Sequence, residues 1–183
     1  LTIAEVETEV NYVMIISTNA GLWAYNLGDT VMFTSTQPYR VLVSGRIKHF
    51  TSAFGEHVIA KEVEVSLSEA AKKLNVEIAE FTVAPQTNTT EGLPYHEWFV
   101  EFEKQPESLE NFAAEIDKNL QQQNSYYKDL IEGKILKPLV ITSIERGGFQ
   151  NYMKSIGKLG GQNKIPRLAN DRKIANELEK FQK

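Results

Sequence analysis

The sequence predicts an α+β chain, in which a short β-meander is followed by a small sheet covered by helices, an α/β sandwich. Three observations carry that expectation. Up to about residue 47 the chain reads as short apolar runs broken by turn residues. From Val58 the apolar spacing changes to that of a helix. After that helix, strand and helix patterns follow in the order β–β–α–β–α, with a loop before the last helix.

The elements follow in turn. Tyr12–Ser17 is a short buried-strand run, and Thr18-Asn-Ala-Gly21 is turn chemistry, since Asn and Gly tolerate positive φ. Leu22–Tyr25 resumes an extended character, Gly28-Asp29 interrupts it, and Val31–Thr34 continues it. Gln37-Pro38 marks a turn before the strand Arg40–Ser44. Thr51–His57 is a polar loop containing Gly55. In the helix predicted over Val58–Leu74, Ile59, Val63, Leu67, Ala70 and Leu74 share one face, with Lys and Glu around the rest. Glu56 and His57 read as the residues that begin and cap it, or as loop groups open to a second substrate.

Val76–Val83 is the next strand. Tyr95–Glu103 alternates, with Trp98, Val100 and Phe102 on one face and Glu97, Phe99, Glu101 and Glu103 on the other. Ser108 is an N-cap for a helix with Leu109, Phe112, Ala113, Ile116 and Leu120 inward. A polar stretch, Gln121–Gly133, holds a short helix. Pro138–Ile144 is a buried strand, Phe149–Ser155 a short helix, Gly157–Pro166 a loop, and Asp171–Phe181 a closing helix.

The 183 residues are 42% hydrophobic and 24% charged, which excludes a disordered chain or a coiled coil and suffices for a core without staples. A net charge of −4 argues against a partner held by phosphate-backbone charge, so no nucleic acid is expected. Cys is absent, so neither a disulfide framework nor a thiolate metal site can form, and the 3 His lack metal-ligand spacing. The longest apolar run, Tyr12–Ile16, is too short to span a bilayer, and the start shows no secretory signal. A cytoplasmic protein without a membrane partner is the expectation. The Leu start, running almost directly into strand, reads as a piece cut from something longer.

Three segments carry chemistry. In Tyr25-Asn-Leu-Gly28-Asp29, the Asp behind a Gly at a strand end is placed to accept hydrogen bonds from two ribose hydroxyls; locally it also reads as a turn Asp capping backbone amides. In Ser44-Gly-Arg46-Ile-Lys48, the guanidinium offers a rigid fork of donors to phosphate or ribose, or is an ordinary edge-strand Arg beside a surface Lys. In Gly160-Gly-Gln-Asn-Lys164-Ile-Pro166-Arg167, a glycine loop delivers one Lys, either to solvent or to a phosphate that gathers negative charge during attack. The phosphate-cradling pattern GxxxxGK[ST] is missing.

Taken in order, these segments resemble the adenylate-forming superfamily. Asn19-Ala-Gly-Leu-Trp-Ala-Tyr25-Asn-Leu-Gly-Asp29, Gly147-Gly-Phe149 and Gln162-Asn-Lys164-Ile-Pro166-Arg167 are most similar to one branch of it, the auxin-responsive Gretchen Hagen family of acyl acid–amido synthetases. The resemblance implies that residues 1–47 are the tail of a large N-terminal adenylating domain and residues 48–183 a C-terminal lid. It implies ATP and Mg2+, a small carboxylic acid activated as its acyl-adenylate, and transfer to an amino acid. Asp29 would hold the nucleotide ribose, Arg46 would sit by the nucleotide, Lys48 would lie at the hinge, where many superfamily members have Asp, and Lys164 would be the lid lysine of adenylation. The Ser/Thr/Gly-rich phosphate loop and the acid pocket of such enzymes are not in this sequence, so the chain alone is expected to be inactive, with a missing N-terminal domain as its partner. The other reading is a non-catalytic α+β module that binds a ligand or protein and keeps only the lid fold.

Overall fold

In the computed structural model, which describes residues 1–46, 50–87, 89, 92–160 and 163–183, the chain forms two compact units, Leu1–His49 and Phe50–Lys183. The first is an antiparallel meander of β1 (Asn11–Ile16), β2 (Tyr25–Thr36) and β3 (Tyr39–Arg46), in that spatial order. Val31 and Phe33 of β2 are its buried centre, and the Phe33 ring meets Tyr12 and Tyr39 edge-on, each at 6.1 Å. Gly28-Asp29 does not interrupt the strand. β2 runs through it, because Gly28 at φ +80° absorbs a local kink, and the register against β1 slips between Asn26 and Thr30.

The second unit opens with a two-stranded ribbon, β4 (Phe50–Thr51) against β5 (Val58–Ile59). Helix α1 (Ala60–Leu74) therefore starts two residues later than its apolar period suggests. Glu56 and His57 do not cap it: Glu62 reaches back to accept the Ile59 N–H at 3.0 Å, and Asn75 closes the helix in the left-handed conformation at φ +54°. A mixed sheet follows, with β6 (Glu77–Gln86), β7 (Tyr95–Lys104) and β8 (Val140–Ile144) in that order, β7 antiparallel to β6 and parallel to β8. Between β7 and β8 lie α2 (Leu109–Gln123), capped by the Ser108 hydroxyl at the Asn111 N–H, and α3 (Ser125–Glu132), capped by Asn124 at the Tyr127 N–H. After β8 come α4 (Gly148–Ser155) and α5 (Lys173–Leu178), the latter ending in a 3-10 turn at Glu179–Phe181 rather than running on as α-helix.

Helices cover both faces of this sheet. On one, Phe81, Val83, Trp98, Val100 and Phe102 pack with Val63, Leu67 and Ala70 of α1 and Phe112, Ile116 and Leu120 of α2. On the other, Ala84, Phe99 and Ile144 pack with Phe149 and Tyr152 of α4 and Ala175 and Leu178 of α5. The alternation in β7 thus hides two buried faces. Glu97 and Glu101, which period-2 reading places outward, are both buried and partnered, whereas Glu103 is exposed. Glu97 accepts the Thr142 hydroxyl at 2.5 Å and pairs with Arg172 at 2.8 Å. Glu101 receives the Gly147 and Phe149 N–H groups at 2.7 and 3.2 Å, so its charge sits at the N-terminus of α4. Glu101→Ala leaves both donors unsatisfied and is expected to cost about 2 kcal/mol, measured as a lower urea midpoint with unchanged slope. Among the described residues, no helix is long and apolar enough to cross a membrane.

Candidate functional site

The predicted site residues fall in both units. Within the first, pairing of β2 with β3 sets Asp29 directly opposite Arg46, and Thr30 opposite Gly45. A carboxylate and a guanidinium carrier, far apart in sequence, thereby share one cross-strand position. The approach to Asp29 is shaped locally. The Asn26 side chain accepts the Gly28 N–H at 2.9 Å and holds the left-handed glycine that turns the chain into Asp29. Asp29 is half-buried. Gly45 keeps β3 close, since a Cβ there would stand 3.2 Å from the Thr30 hydroxyl. Lys48 lies outside the described residues, as does Gln162.

Within the second unit, Lys164 is exposed at the end of the loop that follows α4. Gly157 and Gly160, at φ +68° and +90°, let that loop reverse direction. Immediately after Lys164 the chain is pinned. Ile165 is buried in the second core cluster, and the Pro166 carbonyl accepts the Thr82 hydroxyl at 2.7 Å. The Arg167 carbonyl accepts the Val83 N–H at 3.0 Å, and the Ala169 N–H donates to the Val83 carbonyl at 2.9 Å. Residues 166–169 therefore lie as a strap along the outer edge of β6, with Leu168 bridging Val83 in parallel fashion. The Arg167 side chain seals the strap: its guanidinium bonds Glu80 and stacks over the Phe81 ring, 4.5 Å from the centroid. Among the described residues, none forms a hydrogen bond or ion pair with Lys164. Its neighbours include Glu80, Glu101, Phe149, Met153 and Ile165, which with it line a cleft of about 240 Å³.

A second set of chemistry-bearing groups owes its burial to tertiary packing; the sequence singles out only Glu56 among them, and the structure buries it rather than opening it to a substrate. Glu56 and His96 are both fully buried and bond each other, Oε1 to Nε2, at 2.8 Å, while Glu56 Oε2 accepts the Phe54 N–H at 2.8 Å. Burial alone would push the Glu56 carboxyl up, but the His96 bond and charge and the backbone amides outweigh it and hold it below the usual carboxylate range. The His96 ring stacks between Phe54 and Tyr127, at 5.8 and 5.3 Å. Tyr127 donates to buried Asp117 at 2.6 Å, and Asp117 also accepts the Leu139 N–H at 3.1 Å. Burial, with the Asp117 charge added, pushes the Tyr127 phenol well above its ordinary range. Glu62 moves the other way from Glu56: burial raises its carboxyl, and the Ile59 and Asn124 donors offset this only in part. These groups build and stiffen the unit. Among the described residues, no three His, Asp or Glu side chains gather into a cluster able to hold a metal ion.

Comparison with known proteins identifies the relatives. Residues 1–46 match the GH3 family central domain, and residues 61–173 match the GH3 family C-terminal domain. The chain is similar over its full length to a solved structure of a GH3.15 acyl acid amido synthetase, with 18% identity and a TM-score of 0.75, and covers 36% of that chain. It is also similar to an AtGH3.15 acyl acid amido synthetase in complex with 2,4-DB, with 17% identity, a TM-score of 0.74 and 34% of that chain covered. It thus spans about a third of the length of the solved structures it matches. No curated protein sequence matches it.

Proposed function

Because the chain belongs to the GH3 family, we propose that it is the C-terminal part of an ATP-dependent acyl acid–amido synthetase that joins a small carboxylic acid to an amino acid. The observation that carries this reading is the collinear match to the central and then the C-terminal family domain along one continuous chain. In this reading residues 1–47 end the large adenylating domain and residues 48–183 are its lid, hinged near Lys48, in a cytoplasmic enzyme. The exposed apolar residues of the first unit support further protein around it: Trp23 is 87% exposed, Val43 68% and Ile15 59%.

ATP would supply the adenylyl group that activates the acid, with pyrophosphate leaving, and Mg2+ would accompany its phosphates, for which a carboxylate or two from the remainder of the enzyme suffice as protein ligands. This chain would supply three further polar groups. Asp29 is an acceptor for the two ribose hydroxyls, a role its half-buried carboxylate suits. Arg46, opposite it, is a donor fork toward the nucleotide. The Lys164 ammonium offsets the charge that builds when one anion, the acid, attacks another, the phosphate. In the second half-reaction the amine attacks the acyl carbon, loses a proton and displaces AMP, and the lid has exchanged the groups it presents.

The test is ATP–pyrophosphate exchange by the protein from the complete reading frame, across a panel of carboxylic acids. Acid-dependent exchange, followed by amide formation with an amino acid, is expected. Folded protein that binds no nucleotide and gives no exchange with any acid overturns the reading in favour of a non-catalytic module. The 183-residue chain alone is expected to give no exchange.

A further inference from the structure

The strap that follows Lys164 is bonded at its far end to a residue outside both the loop and β6, and we propose that this residue, Thr51, is a positioning residue for the adenylation step; this rests on the role of Lys164 proposed above. The strap at residues 166–169 is held along one side by β6. Its far end is held by β4: the Thr51 hydroxyl donates to the Ala169 carbonyl at 2.7 Å, and the Ser52 N–H donates to the Asn170 side chain at 3.1 Å. Thr51 is fully buried, although β4 has only two residues, and 118 positions separate it from Ala169. A buried hydroxyl committed to one distant carbonyl fixes where that carbonyl lies.

The consequence for Lys164 is geometric. On its N-terminal side the described contacts are few: Gly160 is left-handed, and the Asn163 side chain donates to its carbonyl at 3.4 Å. The Lys164 backbone is therefore anchored from the C-terminal side, through Ile165, the strap and Thr51. β4 is also the first element of the second unit. Thr51 thus ties the entrance of the second unit to the loop that carries the lysine, so that the two move as one body. A charge that must meet a transient phosphate geometry is sensitive to such anchoring, and a 1 Å misplacement can cost about 100-fold in rate.

Thr51→Val keeps the branched shape and removes the donor, while Thr51→Ser keeps the donor. In the complete enzyme, Thr51→Val is expected to lower kcat for acid-dependent ATP–pyrophosphate exchange about tenfold, with KM for ATP unchanged, and Thr51→Ser to restore it. Transfer from a chemically synthesised acyl-adenylate to the amine is expected to stay at the wild-type rate. Asn170→Ala, which removes the neighbouring bond at an exposed position, is expected to lower exchange in the same direction and serves if Thr51→Val does not fold. Wild-type exchange in Thr51→Val and Asn170→Ala, beside a collapse in Lys164→Ala, overturns this inference and leaves the lysine role standing. An equal fall in exchange and transfer also overturns it, because it marks a general loss of structure. Wild-type exchange in Lys164→Ala overturns the reading on which it rests.

Discussion

Replacing Lys164 with alanine in the complete enzyme is expected to lower acid-dependent ATP–pyrophosphate exchange by about 10²–10³-fold while leaving ATP binding essentially intact. The reason is electrostatic. A carboxylate approaching a phosphate brings two anions together, and the charge at the phosphate oxygens is greatest in the transition state. A cation that meets this charge only then lowers the barrier without tightening ground-state binding. At 1.36 kcal/mol per factor of ten, the expected loss is about 3–4 kcal/mol of transition-state stabilisation. Lys164 suits such a role because it is exposed, and among the described residues no carboxylate holds it back. Lys164→Arg is expected to recover only part of the rate, since a planar fork does not replace a compact ammonium at a site that needs a point charge. Transfer from a preformed adenylate should not respond. Exchange unaffected in Lys164→Ala would remove this residue from the chemistry and leave the ligase assignment to stand on the rest.

The largest expected effect on stability belongs to the buried pair Glu56–His96. Glu56→Ala is expected to lower the unfolding free energy by about 3–5 kcal/mol, a large share of the roughly 5–15 kcal/mol that holds a typical domain together. The carboxylate serves two donors in a place without solvent, the His96 ring and the Phe54 N–H, each at 2.8 Å. Removing it strands the His96 ring in the core, between the stacked rings of Phe54 and Tyr127, and leaves the Phe54 N–H without its acceptor. The same geometry sets a pH dependence. The Glu56 carboxyl titrates below its unfolded value, so its contribution is fully present above that value, near 4.5, and is lost as pH falls through the lower folded value. Urea unfolding between pH 7 and pH 3 is the measurement. The wild type should lose this contribution on acidification, and Glu56→Gln, which cannot ionise, should lack that part of the slope. A Glu56→Ala protein within 1 kcal/mol of wild type would show that the pair contributes little net stability.

Glu101 and Glu97 show why part of the structure was not legible. Their positions on the strand were readable from the period of two, and so was the apolar face of Trp98, Val100 and Phe102. That the opposite face is buried depends on α4 and α5, which arrive from much later in the chain. The helix stripe of α1 and the Ser108 cap were legible because their partners lie within a turn. The start of α1 was misread because residues 58–59 pair with residues 50–51 before the helix begins. Strand pairing competes with a helical period there, and the sequence pattern does not show the pairing. Asp29, Arg46 and Lys164 were singled out by motif. Their surroundings, a cross-strand position and a strap along β6, were not.

The sequence by itself determined the α+β class, most of the core stripe of α1 and of the inward face of α2 (Leu74 and Leu109 are exposed and Ile59 belongs to β5), the glycine-loop lysine and the family resemblance. All of these rest on residue types a few positions apart, where backbone geometry translates spacing directly into a face or a cap. Only the tertiary structure decided which polar residues are buried and what they hold: Glu56 on His96, Glu101 on α4, Arg172 on Glu97, and Thr51 on a carbonyl 118 residues away. The physical reason is that burying a charged or strongly polar group without a partner is costly, so most such groups enter a core where a partner meets them, although His96 Nδ1, Trp98 Nε1 and Ser143 Oγ are buried here without one among the described residues. For Glu56, Glu101, Arg172 and Thr51 the partner is supplied by distant chain, and local spacing carries no record of it.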